Sequence, residues 1–180
     1  MRKPGLFHGF IILCLHIFAN QVICEFLKDS GYKVTASFDG ESGAERFFEN
    51  QYDLVILDIM LPRKTGMEVL KEIRELSNVP VIMMLSQNYY DSYMCLNEMS
   101  AAWIKKSKYQ SILLPGFNFP DIQGAIGPRD ICFKLDDPEN RNYALNDLKD
   151  RITEHLELEP VKSSLWKRFR EKFTEEIDNI

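Results

Sequence analysis

From Lys33 to Ile104 the chain switches its hydrophobic period about every ten residues, and this alternation limits the fold more than any other feature. Short apolar runs, "YKVTASF" (32–38), "DLVILD" (53–58), "VPVIMML" (79–85) and "AAWIK" (101–105), alternate with amphipathic stretches. The stretches are "ESGAERFFENQ" (41–51), "TGMEVLKEIREL" (65–76) and "NYYDSYMCLNEM" (88–99), with Met67, Leu70, Ile73 and Leu76 at helical spacing. Regular exchange of strand and helix predicts a parallel sheet with helices on both faces. The nearly unbroken apolar strands fit burial on both sides. Extended backwards, the pattern makes "FIILCL" (10–15) a further strand and "NQVICEFLKDSG" (20–31) a helix closed by Gly31.

After Lys108 the alternation stops. The stretch 109–130 carries Pro115, Gly116, Pro120, Gly124, Gly127 and Pro128, so at most a helix of a turn or two is expected before a linker. Two amphipathic helices follow. One, near 140–157, puts Leu145, Leu148, Ile152 and Leu156 on one face; the other, near 161–176, does so with Leu165, Trp166, Phe169 and Phe173. The expected organisation is a first unit over 1–114, a Pro- and Gly-containing linker over 115–139, and a helix pair over 140–180.

The net charge of −5 and the pI near 5.3 argue against nucleic-acid binding through bulk charge. Cys14, Cys24, Cys95 and Cys132 are widely spaced and form no C-x-x-C pair, which suits reduced thiols in the cytoplasm. The N-terminus points elsewhere: after Arg2 and Lys3, no Asp, Glu, Lys or Arg occurs from Pro4 through Cys24, as in a targeting segment. Its apolar part, 10–18, is shorter than the roughly 20 residues of a spanning helix. Removing it would also take the first strand from the sheet, so no membrane association is expected.

Within "LVILDIMLPRKTG" (54–66), Asp58 ends an apolar strand and Gly66 follows eight residues later; "VPVIM" then opens the next strand. From about Gly31 to Ser107 the chain resembles the receiver domain of two-component response regulators, "WIKKS" carrying the likeness more weakly. The resemblance implies a flavodoxin-like α/β fold: a doubly wound, five-stranded parallel sheet of order 2-1-3-4-5, here with a C-terminal helical extension. It makes Asp58 the position that accepts a phosphoryl group from a histidine kinase. It also implies a Mg²⁺ ion, held by carboxylates, that neutralises the transferring group.

The resemblance also shows which parts of that machinery are missing. Receivers end their first strand in an acidic pair that holds the ion; counting back from Gly31 and Asp58 places Cys14 and Leu15 there. Neither is a hard oxygen ligand, which leaves Asp58 and the Met60 carbonyl as a weak set. Receivers place a Thr or Ser at the end of the fourth strand; here Leu85 stands there, with Ser86 one residue later. A one-residue slip to recover the hydroxyl would turn every side chain to the other face. The receiver lysine is matched by Lys106, followed by Ser107 where the family has proline.

These departures describe a degenerate receiver: a non-enzymatic signalling protein with no cofactor, unless Asp58 keeps residual Mg²⁺-dependent chemistry. It is expected to act through a protein partner, a histidine kinase or another regulator, or through a homodimer, with the C-terminal helices packing on the receiver or serving as the partner or dimer surface. The face 86–107, which carries contacts in active receivers, ends in a final helix cut short by Pro115 and does not suit family-type dimerisation. A transcriptional role is the alternative. The helix pair then reads as a DNA-binding unit presenting Lys162, Ser163, Ser164, Lys167, Arg168 and Arg170 to a major groove. Against this, residues 115–180 hold ten Lys and Arg but fourteen Asp and Glu. "KRFREKFTEE" also reads as a solvated helix with i,i+4 ion pairs.

Overall fold

A computed structural model describes residues 9–14, 17–85, 109–113 and 131–178. Six parallel strands form one sheet: β1 (Gly9–Leu13), β2 (Lys33–Ser37), β3 (Leu54–Asp58), β4 (Val81–Leu85), β5 (Tyr109–Leu113) and β6 (Ile131–Lys134). Their order is β2-β1-β3-β4-β5-β6. The described helices are α1 (Ile17–Asp29), α2 (Gly40–Glu49), α3 (Gly66–Leu76), α4 (Arg141–His155) and α5 (Ser163–Asp178).

Strand alternation divides the core into two layers. On one face Ile11, Leu13, Val55, Leu57, Val81 and Met83 pack against Ala44 and Phe47 of α2 and Met67, Leu70 and Ile73 of α3. On the other, Phe10, Ile12, Leu54, Ile56, Ile82 and Met84 meet Val22 of α1, Leu145 and Leu148 of α4, and Phe173 and Ile177 of α5. Strands buried on both sides explain why their sequences are apolar throughout.

The doubly wound parallel arrangement through β4 agrees with expectation; its far edge does not. Residues 109–113, expected as a short helix, form β5, paired in parallel with β4 from Val81↔Tyr109 to Leu85↔Leu113. Isolated 3.6-period reading of "YQSILL" misses what the sheet supplies: β4 is buried, and its open edge requires backbone partners. Residues 131–134, expected inside the linker, form β6 on β5, with a register irregularity at Ser111/Ile112. Among the described residues the sheet therefore has six strands, and the segment 115–139 is not wholly a connector. The expected helix 88–99 and strand 101–105 lie outside the described residues.

The C-terminal helices lie against the sheet face that α1 also covers. Phe26 of α1 stacks on Phe169 of α5 at 4.0 Å and meets Trp166 edge-on at 5.7 Å. Lys172 pairs with Glu25 at 2.6 Å, and Arg168 with Asp29 at 3.3 Å. Arg141, at the start of α4, grips Asp178 at the end of α5 with two guanidinium N–H groups, at 2.5 and 2.7 Å. Asp137 leads into α4 by accepting from the Glu139 and Asn140 amides, each at 3.2 Å. Among the described residues no helix is long and apolar enough to cross a membrane.

Candidate functional site: a buried aspartate at the carboxyl edge of the sheet

Parallel register brings the site together. Leu13 pairs with Leu57 across β1 and β3, so the next residues, Cys14 and Asp58, leave the two strands side by side. Both are buried, at 0% and 1% exposure. The Cys14 thiol donates to Asp58 Oδ2 at 3.8 Å, a long, weak contact, and the Met60 amide donates to Oδ1 at 3.0 Å. Asp58 is paired with Met84 of β4; Leu85 follows, buried on the face covered by α2 and α3. Ser86, Lys106 and Leu15 lie outside the described residues.

The loop from Ile59 to Thr65 fixes the geometry behind Asp58. The Ile59 amide donates to Met84 O at 3.3 Å, and the Gly66 amide returns to Ile59 O at 2.8 Å. A Cβ on Gly66 would lie 2.2 Å from the Asp58 carbonyl oxygen and 2.8 Å from Ile59 Cα, so only glycine lets α3 start this close to the strand. Thr65 and Glu68 then close a reciprocal capping box on α3. Across the crevice Asp39 caps α2, accepting from the Ser42 amide at 2.9 Å. That amide bond holds the Asp39 carboxyl below its ordinary pKa, with Arg63, 3.7 Å away, acting in the same direction.

Cys14 is also built into the fold. Its amide donates to Ser37 O at 3.2 Å and its carbonyl accepts from Asn20 Nδ2 at 3.2 Å. Asn20 Oδ1 in turn accepts from the Cys24 thiol at 3.2 Å, and burial pushes that thiol's pKa up against the pull of Lys28. Both cysteines are free thiols in structural positions.

A hard divalent cation does not fit this donor set. Among the described residues no three His, Cys, Asp or Glu side chains gather as a metal site. Beside Asp58 stands a thiol, where Mg²⁺ would need oxygen.

The basic residues considered for DNA are partly committed within the protein. Arg168 pairs with Asp29, Arg170 Nη1 donates to Asn146 Oδ1 at 3.0 Å, and Lys167 faces Glu171 at 3.8 Å along its own helix. Ser163 opens α5, and the Lys162 carbonyl accepts from the Trp166 amide at 3.0 Å. The arrangement docks α5 on α1 and does not leave its basic side chains all facing outward. Packing of the helix pair on the receiver, the reading expected ahead of DNA binding, is what the described residues show, although the same residue types suit a recognition helix and a docked one.

A doubly wound parallel sheet with an aspartate at the end of its third strand, held by a D-x-x-x-P turn and a glycine-started helix, defines a receiver-type signalling module. The response regulator receiver domain family model matches residues 16–124, and the chain belongs to that family. It is 44% identical over 69 residues to an uncharacterized transcriptional regulatory protein, YcbL, of Bacillus subtilis (strain 168), covering 38% of this chain and 30% of that one. Similarity to the transcriptional regulatory protein DltR of Streptococcus agalactiae (strain NEM316) is 42% over 69 residues, 38% of this chain and 31% of the other. The chain thus spans under a third of the length of these two relatives. The fold is shared with a CheY-like receiver domain protein of Methanospirillum hungatei JF-1, at 18% identity and a TM-score of 0.53, over 84% of this chain and 95% of that one.

Proposed function

We propose that this chain is a degenerate receiver that signals through protein contacts independently of phosphorylation and without a bound Mg²⁺ ion. The carrying observation is the buried Cys14 thiol set against Asp58 Oδ2, where the receiver pattern places an acidic residue. Phosphoryl transfer to a carboxylate depends on neutralising charge at the acceptor, and a thiol that donates weakly supplies almost none. Asp58 then serves as a fixed strand-end acceptor for the Met60 amide, holding the loop in one state. Partners are read as proteins, a histidine kinase or another regulator; the part-buried hydrogen bond of Arg170 to Asn146, together with the acidic balance of the tail, favours this over DNA.

The test is the intact mass of the purified chain after incubation with a small acyl phosphate and Mg²⁺, wild type beside Asp58→Asn. No mass gain in either protein is the expected result. A gain of one phosphoryl group in the wild type that disappears in Asp58→Asn would overturn the proposal and establish residual switch chemistry at this aspartate.

A further inference from the structure

The C-terminal helices do not seal the sheet face they cover. Between them, the sheet and α1 lies a half-enclosed cavity of about 140 Å³, walled by Phe10, Ile56, Met84, Phe26, Leu148 and Phe169, among others. Six elements contribute those side chains: three strands, α1 and both tail helices. Interiors normally pack to the density of organic crystals, so an apolar recess of this size running into the layer is a departure from ordinary packing. A dry apolar void of about 150 Å³ has room for one aromatic ring.

Three polar side chains at its wall, those of Lys149, Thr153 and Trp166, are already engaged. Lys149 is the charged residue among those lining it; its amine pairs with Asp150 at 2.7 Å and lies 5.7 Å from the Trp166 ring centroid. The Thr153 hydroxyl donates to Lys149 O at 2.8 Å. The Trp166 indole N–H, at the same wall, donates to Asn146 Oδ1 at 2.6 Å. An occupant with a charge or a strong hydrogen-bonding group would have to break one of these bonds.

We propose that this cavity is a binding site for a small uncharged apolar molecule about the size of one aromatic ring. The ligand would be held by contact with the sheet and both tail helices together, and would stabilise their docking. The site is separate from the Asp58 crevice, and its test does not involve phosphorylation.

Toluene is the probe, titrated into the full chain while thermal unfolding is followed, with benzoate as the charged counterpart. A melting temperature that rises with toluene concentration and stays level with benzoate is expected, because a ligand that binds only the folded state stabilises it by mass action. Leu148→Phe places a ring in the void from its own wall and should abolish the toluene shift while the unliganded protein still melts cooperatively. If that variant fails to fold, Ile152→Phe fills the same space from a half-buried position. No toluene shift in the wild type up to aqueous saturation, or an equal shift in the filled variant, would overturn the site. A benzoate shift as large as that of toluene would overturn the uncharged class.

Discussion

Asp58 shows how one neighbouring residue decides what a carboxylate can do. Its backbone position, its turn and its glycine partner follow the receiver pattern, and among the described residues the Cys14 thiol stands against it. Counting along the motif was enough to place Cys14 at the end of the first strand. Cys14 is held by Asn20, six residues on in α1, and by Ser37 at the end of β2, and the burial of both groups depends on elements farther along the chain. Putting a carboxylate back at this point tests the account. Cys14→Asp sets a second buried acid against Asp58 and is expected to cost about 3 kcal/mol, the scale of an uncompensated buried charge. Adding Leu15→Asp should make the melting temperature of the double variant rise with Mg²⁺, whereas that of the wild type does not. Thermal melts with Mg²⁺ and with chelator read both effects; a double variant indifferent to Mg²⁺ would show that more than the acidic pair is missing.

At the level of elements, α5 is docked by a combination that its sequence disguises. The stripe of Trp166, Phe169 and Phe173 packs inward; Phe169 and Phe173 stack at 5.6 Å and Phe26 caps the row. Each such ring, once buried, contributes on the order of 2 kcal/mol, whereas the exposed ion pairs with α1 contribute a fraction of that. The Arg141–Asp178 clamp joins the two tail helices and carries a pH signature. The hydrogen bonds from Arg141 hold the Asp178 carboxyl below its ordinary pKa. A carboxylate with a lowered folded pKa stabilises the protein above its unfolded value, about 4, and the contribution is lost as pH falls through the lower folded value. Asp178→Asn should therefore lower stability near neutrality and flatten the loss on acidification below about pH 4. Because the Asp178 side chain is 55% exposed, solvent screening keeps the effect small. Urea unfolding at a series of pH values checks this, and parallel curves for wild type and variant would remove the clamp from the account.

For the whole molecule, the tail completes the core. Its helices cover Phe10, Ile56, Ile82 and Met84, the side of the sheet that α2 and α3 leave open. A chain ending at Asp137 would expose that face together with α1 and is expected to lose its cooperative thermal transition and to bind a hydrophobic dye. A sharp melt in the shortened chain would mean instead that the receiver sheet is self-sufficient and the tail an independent unit. The same layer contains the half-enclosed apolar cavity.

The alternating hydrophobic period by itself determined the parallel sheet through β4, the two-faced burial and the helices α1 to α3, because each such unit encodes its own partner faces within a short span. The D-I-M-L-P turn and Gly66 likewise marked Asp58 and the family, since a strand-end carboxylate followed by a tight helix start is a local pattern. After Lys108 the apolar stripes of α4 and α5 were still legible, but tertiary structure decided the rest. Whether 109–113 and 131–134 become strands depends on the open edge of β4, which no local window contains. Whether the basic residues of α5 face solvent or Asp29 and Asn146 depends on which helix lies opposite. The cavity is the clearest case, because it is defined by what β1, β3, β4, β5, α1, α4 and α5 together fail to fill.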